Sequence, residues 1–377
     1  MVYNLKIKKI NVNLKECDML SDRLKLARKR AGLSLRGLAE KMDGQVSAQA
    51  LGKYERDEMM PSSTVLIALS GVLDVPMDYF LSPTEATLDG IEFRKRASTS
   101  ARDRARVEAE VLRLADHYLQ IEKILDLDSA RWDRPCEQRW IAGPEEAEAL
   151  ARELREQWRL GSDPIPNMTQ LLERHGIKVL ILALPARVSG LTCLVKRPGH
   201  EDVPCIVVNR DHNLERRRFT LAHELGHRLM HPDSPEVEKL ANRFAGALLA
   251  PREYLLAEMG GKRHGLGHEE MILIKRALRI SASALLVRLE QVGIIDHSTL
   301  AYAFKTLART WRKREPAPLE GEDERGSWEK PRRFERLCYR ALAEGLIGLS
   351  RATELLALPV STVEKHFKGP EYDADCD

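Results

Sequence analysis

The sequence predicts a mainly α-helical protein with a small α+β domain, and three observations lead there. Five short helical segments with tight polar connections fill residues 21 to 81, where nothing reads as a strand. Two apolar runs, Ile177-Lys178-Val179-Leu180-Ile181-Leu182 and Pro204 to Asn209, stand among helical patterns farther on and have the length of buried strands. A last stretch, Phe334 to Phe367, repeats three short helical patterns beyond an acidic, Pro- and Gly-bearing interruption.

At 377 residues the chain exceeds one ordinary core, so several domains are expected. Their boundaries read as an N-terminal extension (1–20), a five-helix domain (21–82), a linker and bridging helix (83–140), the α+β domain (141–315), and an acidic linker with a small helical C-terminal region (316–377). The chain is 43% hydrophobic and 31% charged. It lacks any run of about eighteen apolar residues that would span a bilayer, which excludes a membrane protein. Residues 1–20 lack the apolar core of a secretory signal. The six cysteines (Cys17, Cys136, Cys193, Cys205, Cys338, Cys376) form no Cys-x-x-Cys pair, so reduced thiols in the cytoplasm are expected. A net charge of +3 decides nothing about nucleic acid, because such footprints are local.

In the first domain, a helix near Asp22 to Arg30 stops at Ala31-Gly32, and Ser34 caps a second over Leu35 to Met42, with Leu35, Leu38 and Ala39 facing inward. Asp43-Gly44 turns the chain, and Ser47 caps a third helix through Tyr54. Pro61-Ser62-Ser63 opens a fourth with Val65, Leu66 and Leu69 inside, and Pro76 starts a short fifth. Helices two and three have the spacing of a helix-turn-helix, whose second helix enters the DNA major groove with its N-terminal residues nearest the bases. Gln49 then suits adenine, and Lys53 reaches guanine or phosphate. Arg36 and the Ser47 cap anchor the DNA backbone, and Arg56 reaches phosphate. A protein-binding helical module with a solvated basic face is the competing reading. From Thr87 to Arg106 the apolar period is lost, and Arg94-Lys95-Arg96 reads as solvated linker charge; Ala109 to Leu127 regains the period as a bridging helix.

The second domain opens with Pro144 to Leu160, whose first turn is acidic as the helix dipole prefers, followed by Met168 to His175 and the first strand. After the second strand comes a strong helix, Arg217 to Met230, then Val237 to Leu249, Glu269 to Leu278 and Ser281 to Val292. The strong helix carries His223-Glu224-Leu225-Gly226-His227. Histidines at i and i+4 lie one turn apart on one face, so both rings can meet one zinc ion. Glu224, rotated by about 100°, falls beside the position of a metal-bound water and reads as a base, not a ligand. A catalytic zinc commonly has three protein ligands, and Glu238 on the next helix is the expected third. Asn242, one turn on, would orient an imidazole. Glu236 is the weaker alternative, and His231 lies about 12 Å from His223 along a straight helix, too far to share the ion. His264 and His268 are separated by glycines and read as loop. No residue is assigned to the oxyanion. The bland alternative makes these histidines polar residues of a half-buried helix.

Residues 21 to 81, with Leu24-Lys25-Leu26-Ala27-Arg28, Leu35-Arg36-Gly37-Leu38-Ala39 and Tyr54-Glu55-Arg56, resemble the Xre/Cro family of repressor DNA-binding domains. Arg218-Phe219-Thr220-Leu221-Ala222-His223-Glu224-Leu225-Gly226-His227, with Ala241-Asn242-Arg243-Phe244-Ala245 inside Glu238 to Pro251, resembles the ImmA/IrrE family of metallo-endopeptidases. The order of the two, with Gly90 to Arg96 between them, resembles a recurrent bacterial and phage architecture. The resemblance implies a zincin-like domain with a short sheet. It also implies one zinc per chain on His223, His227 and Glu238, with Glu224 as base. It further implies cleavage of a partner repressor in stress or mobile-element induction. Here the repressor-like domain is fused in cis, so the target is another protein, a second copy, or none. Expected partners are a double-stranded DNA operator and a protein substrate or regulatory partner, with a homodimer compatible with paired half-sites. The alternative is a non-catalytic regulator or antitoxin-like factor whose second domain senses a ligand or binds a partner.

Overall fold

The computed structural model describes residues 17–75, 77–81, 87–89, 100–127, 131–197, 199–311 and 314–369. Cys17's side chain, Pro76, the Gly90 to Arg96 stretch, Cys376 and most of the N-terminal extension lie outside the described residues. The chain divides into two compact units. The first holds residues up to 87, 98–116 and 197–199, and the second holds the remainder.

Among the described residues the first unit opens with five helices: α1 (Cys17–Arg30), α2 (Leu35–Lys41), α3 (Ala48–Tyr54), α4 (Ser63–Leu73) and α5 (Met77–Leu81). Three serines start three of them, since Ser34, Ser47 and Ser62 each accept a backbone N–H three residues on, filling an orphan donor of the first turn. Leu24, Ala27, Leu38, Leu51 and Leu69 close the core with no exposed surface. Gly52 sits at the α2–α3 crossing, where a Cβ would lie 3.1 Å from Arg56 Nη1 and in ordinary contact, 3.5 Å, with Leu35 Cδ1. Arg28 fixes the end of α3 from below, forking onto both Glu55 oxygens at 2.5 and 2.7 Å and donating to the Leu33 carbonyl at 2.8 Å.

After β1 (Thr87–Asp89), helix α6 (Ala101–Ile124) begins inside the stretch expected to be linker and divides between the two units at Asp116. The second unit continues with α7 (Pro144–Gln157), α8 (Met168–Arg174), β2 (Lys178–Leu182), β3 (Gly190–Lys196), β4 (Val203–Asn209), α9 (Leu214–Leu229), α10 (Val237–Leu249), α11 (Arg252–Met259), α12 (His268–Leu278), α13 (Ala282–Val292) and α14 (His297–Lys305). The sheet order is β1-β3-β4-β2, with β2 parallel and β3 antiparallel to β4. β4 is buried along its whole length. One core joins Leu150, Leu154, Val179, Ile206, Leu225, Phe244 and Leu285.

One expectation about the chain's later part is corrected. The acidic stretch 316–331 is not a wholly solvated linker: Glu322, Asp323 and Glu324 are exposed, but Glu320 and Glu329 are held against cations of the core. Glu320 meets Arg217 at 2.8 Å, Glu329 meets Arg218, and Glu315, just before the stretch, meets Lys275 at 3.0 Å. The expected small helical C-terminal region consists of α15 (Arg333–Ala343), α16 (Leu349–Leu356) and α17 (Val360–Lys368). Leu337, Cys338, Ala352 and Val363 share a core with Tyr118, Ile121 and Leu125 of the bridging helix. A polar joint underlies it, in which Glu122 holds Lys178 at 2.7 Å and Arg333 at 3.3 Å.

Candidate metal centre and DNA-facing helix

Helix α9 starts at Asn213, whose side chain accepts the Arg216 N–H at 3.1 Å. Its exit is held by a strip of preceding chain: Arg139 donates to the Leu229 carbonyl at 3.0 Å, and His231 donates back to the Arg139 carbonyl at 2.7 Å. The buried Ser234 hydroxyl accepts the Ile141 N–H, and Glu236 takes a left-handed conformation (φ 50°) that launches α10. Gly226 then lets α10 come close, since a Cβ there would lie 3.0 Å from the Phe244 ring and 3.6 Å from Ala241 Cα.

This packing gathers three donors. His223 Nε2 and His227 Nε2 are 3.2 Å apart, and Glu238 places Oε2 at 3.5 Å from the first and Oε1 at 4.0 Å from the second. Ligand atoms bonded to zinc at about 2.0–2.1 Å in a tetrahedron lie about 3.3 Å from one another, so these separations suit one ion. The donor set, two imidazoles and a carboxylate, also suits zinc. The imidazoles are 13% and 8% exposed while Glu238 is 56% exposed, so the cluster is walled by the core on one side and open on the other.

Glu224 is 4% exposed and lies where α9 meets the start of β3. Gly190 makes that approach possible: a Cβ there would fall 2.5 Å from Thr220 Cγ2, 2.7 Å from the Val207 carbonyl oxygen and 3.7 Å from Glu224 Cγ. Asn209, almost fully buried, fixes the loop leading into β3 by donating to the Val188 carbonyl at 2.9 Å and to Leu184 at 3.3 Å. Neither Gly190 nor Asn209 was singled out from sequence. A glycine opening an apolar run is the available signal, because it marks close approach of another element. Gly190→Ala is expected to cost about 1–3 kcal/mol by overpacking, read as a lower denaturant midpoint at unchanged slope.

The remaining expected site residues fall as follows. Asn242 is exposed on α10, and among the described residues its amide bonds neither imidazole, so no contact supports the orienting role. His231 turns away toward Asp233 and the Trp140 ring. On α3, Gln49 and Lys53 lie one turn apart and exposed, opposite the buried Leu51 and Tyr54. Ser47 spends its hydroxyl on the Ala50 N–H, and Arg36 is exposed on α2. Arg56 forks onto Glu58 at 2.6 and 3.0 Å, which raises the guanidinium pKa, so a phosphate would have to displace that carboxylate.

The five-helix unit with its capped second and third helices, and the helix pair bearing two imidazoles and a carboxylate beside a mixed sheet, define a helix-turn-helix domain joined to a metallopeptidase-like domain. Comparison agrees on both. Residues 24–80 match a family model described as helix-turn-helix, and residues 172–290 match that of a peptidase family described as the IrrE N-terminal-like domain. The chain thus fuses an Xre-like helix-turn-helix to an ImmA/IrrE-like domain. No curated protein matches the chain. No helix among the described residues is long and apolar enough to cross a membrane.

Proposed function

We propose that this protein is a cytoplasmic DNA-binding regulator whose second domain is a zinc-dependent endopeptidase, cutting a partner repressor or regulatory protein in a stress or mobile-element response. The observation that carries this is the convergence of His223, His227 and Glu238 on one point, with Glu224 buried beside them on the same helix. His223, His227 and Glu238 would hold one zinc ion, which when bound polarises a carbonyl and lowers the pKa of water. The carboxylate of Glu224 takes the proton released as water attacks and returns it to the leaving amine. The open side at Glu238 admits an extended peptide. In the first domain, Gln49 and Lys53 read base edges while Ser47, Arg36 and Arg56 serve the backbone, and paired half-sites would engage a homodimer.

The test begins with zinc analysis of the purified full chain. One zinc per wild-type chain is expected, with loss from His227→Ala, together with zinc-dependent cleavage of a partner repressor. A wild-type protein that takes up no zinc would remove the enzymatic half of the proposal. Zinc binding without cleavage of any offered repressor, itself included, would favour a sensing domain.

A further inference from the structure

Far in sequence from His223, His227 and Glu238, the second unit contains a cavity of about 390 Å³ lined by four arginines, two leucines and one glutamate. Arg333, Arg336 and Arg340 reach it from one face of α15 at spacings of three and four, and Arg174 from the end of α8. Leu127 and Leu337 supply an apolar wall, and Glu173 lies at the bottom. Like charges so grouped repel one another, weakly where water reaches them, as at the exposed Arg174, Arg336 and Arg340, and the same grouping favours an anion placed among them.

The internal partners relieve that repulsion only in part. Arg333 is engaged with Glu122, and Arg340 with Glu344 in an exposed pair. Among the described residues, Arg174 and Arg336 have neither an ion pair nor a side-chain hydrogen bond. The carboxyl of Glu173 is directed inward, accepting from the Tyr118 hydroxyl at 3.3 Å and from the Arg333 backbone N–H. Burial pushes its pKa up to about 7, so near neutrality it is only partly charged and offsets less than one guanidinium.

We propose that this cavity binds a small phosphate-bearing molecule, its phosphate held by Arg174, Arg333 and Arg336 and its less polar part lying against Leu127 and Leu337. Planar guanidinium forks match phosphate oxygens in pairs, and several around one pocket give the geometry as well as the charge. The volume lies in the range of ligand pockets, and a concave site does not fit the convex backbone of a duplex. The site rests on residues apart from His223, His227 and Glu238, so it stands whether or not the peptidase reading does. Its connections also give a bound ligand leverage: Glu173 and Arg333 join α8 and α15 through Glu122 and Lys178 to β2, the strand next to β4.

The experiment is calorimetric titration of the zinc-loaded full chain with inorganic phosphate at constant ionic strength. Saturable binding is expected for wild type, weakened at least about tenfold in Arg174→Ala/Arg336→Ala, since each lost charged hydrogen bond costs about 1.5–3 kcal/mol. Both side chains are exposed and unengaged, so the double variant should keep the wild-type melting temperature. An Arg325→Ala control, outside the cavity, should bind as wild type does. Absence of saturable binding in wild type, or undiminished binding in the double variant, would overturn the proposal. Binding lost in His227→Ala but retained in the double variant would place the phosphate at the metal and overturn it equally. If the double variant loses duplex DNA affinity while wild type ignores free phosphate, the arginines serve a nucleic-acid backbone and the small-ligand site is wrong.

Discussion

Glu224→Gln is expected to reduce repressor cleavage by about a hundred- to ten-thousandfold while zinc content stays at the wild-type value. The two side chains have nearly the same volume, and this one is packed between α9 and the start of β3, so the amide should fit without moving the helix. What the amide cannot do is accept a proton from attacking water. The imidazoles on either side keep their positions because α10 packs on Gly226, not on Glu224. Two measurements separate the possibilities: kcat/KM on the cleaved repressor, and zinc per chain by atomic absorption. Cleavage at the wild-type rate would strip Glu224 of its role as base. Loss of zinc would mean that its carboxylate belongs to the ligand set and that the three-donor assignment is incomplete.

The histidine pair was legible in the sequence because its geometry is local: four residues on a helix fix two rings on one face wherever that helix sits. Helix α3 was legible for a similar reason, as the Ser47 cap and the Asp43-Gly44 turn marked its start within a residue or so. β3 was missed although it is seven residues long. Thr192 and Cys193 interrupt the apolar run, and burial on both faces removes the alternation that betrays a half-exposed strand. The same blind spot hid Cys193 opposite Cys205, two buried thiols whose proximity raises the Cys205 pKa well above its ordinary value. The stretch 316–331 failed for the opposite reason. Glu320 and Glu329 find their arginines 103 and 111 residues away, and no local pattern distinguishes a carboxylate destined for such a partner from one left in water. Long-range pairing of charges is therefore the part of this fold that composition most misrepresents.

That pairing has a measurable consequence in Lys275, whose ammonium is fully buried among Glu215 at 3.0 Å, Glu315 at 3.0 Å and the carbonyls of Pro316 and Ala317 at 2.9 and 3.0 Å. It fastens α12 to the first turn of α9 and to the acidic segment, while Glu215 also accepts the Leu319 N–H at 3.0 Å. Lys275→Met fills similar space yet leaves two carboxylates buried without their cation. Breaking a buried pair in this way costs about 3–5 kcal/mol, far above an exposed pair, and in a domain of this size the melting temperature should fall by about 10 °C. The deficit should also depend on pH. Burial already holds the Glu315 pKa above the ordinary carboxylate value despite Lys275. A raised folded pKa means that the group's contribution is complete below about pH 4.3 and is lost as pH rises through the folded value. Removing the cation raises that value further, so the variant should lag wild type most at neutral pH and recover ground toward pH 4. A variant that melts with wild type at neutral pH, or whose deficit grows on acidification, would show that the acidic segment is held to α9 by its backbone contacts and not by these charges.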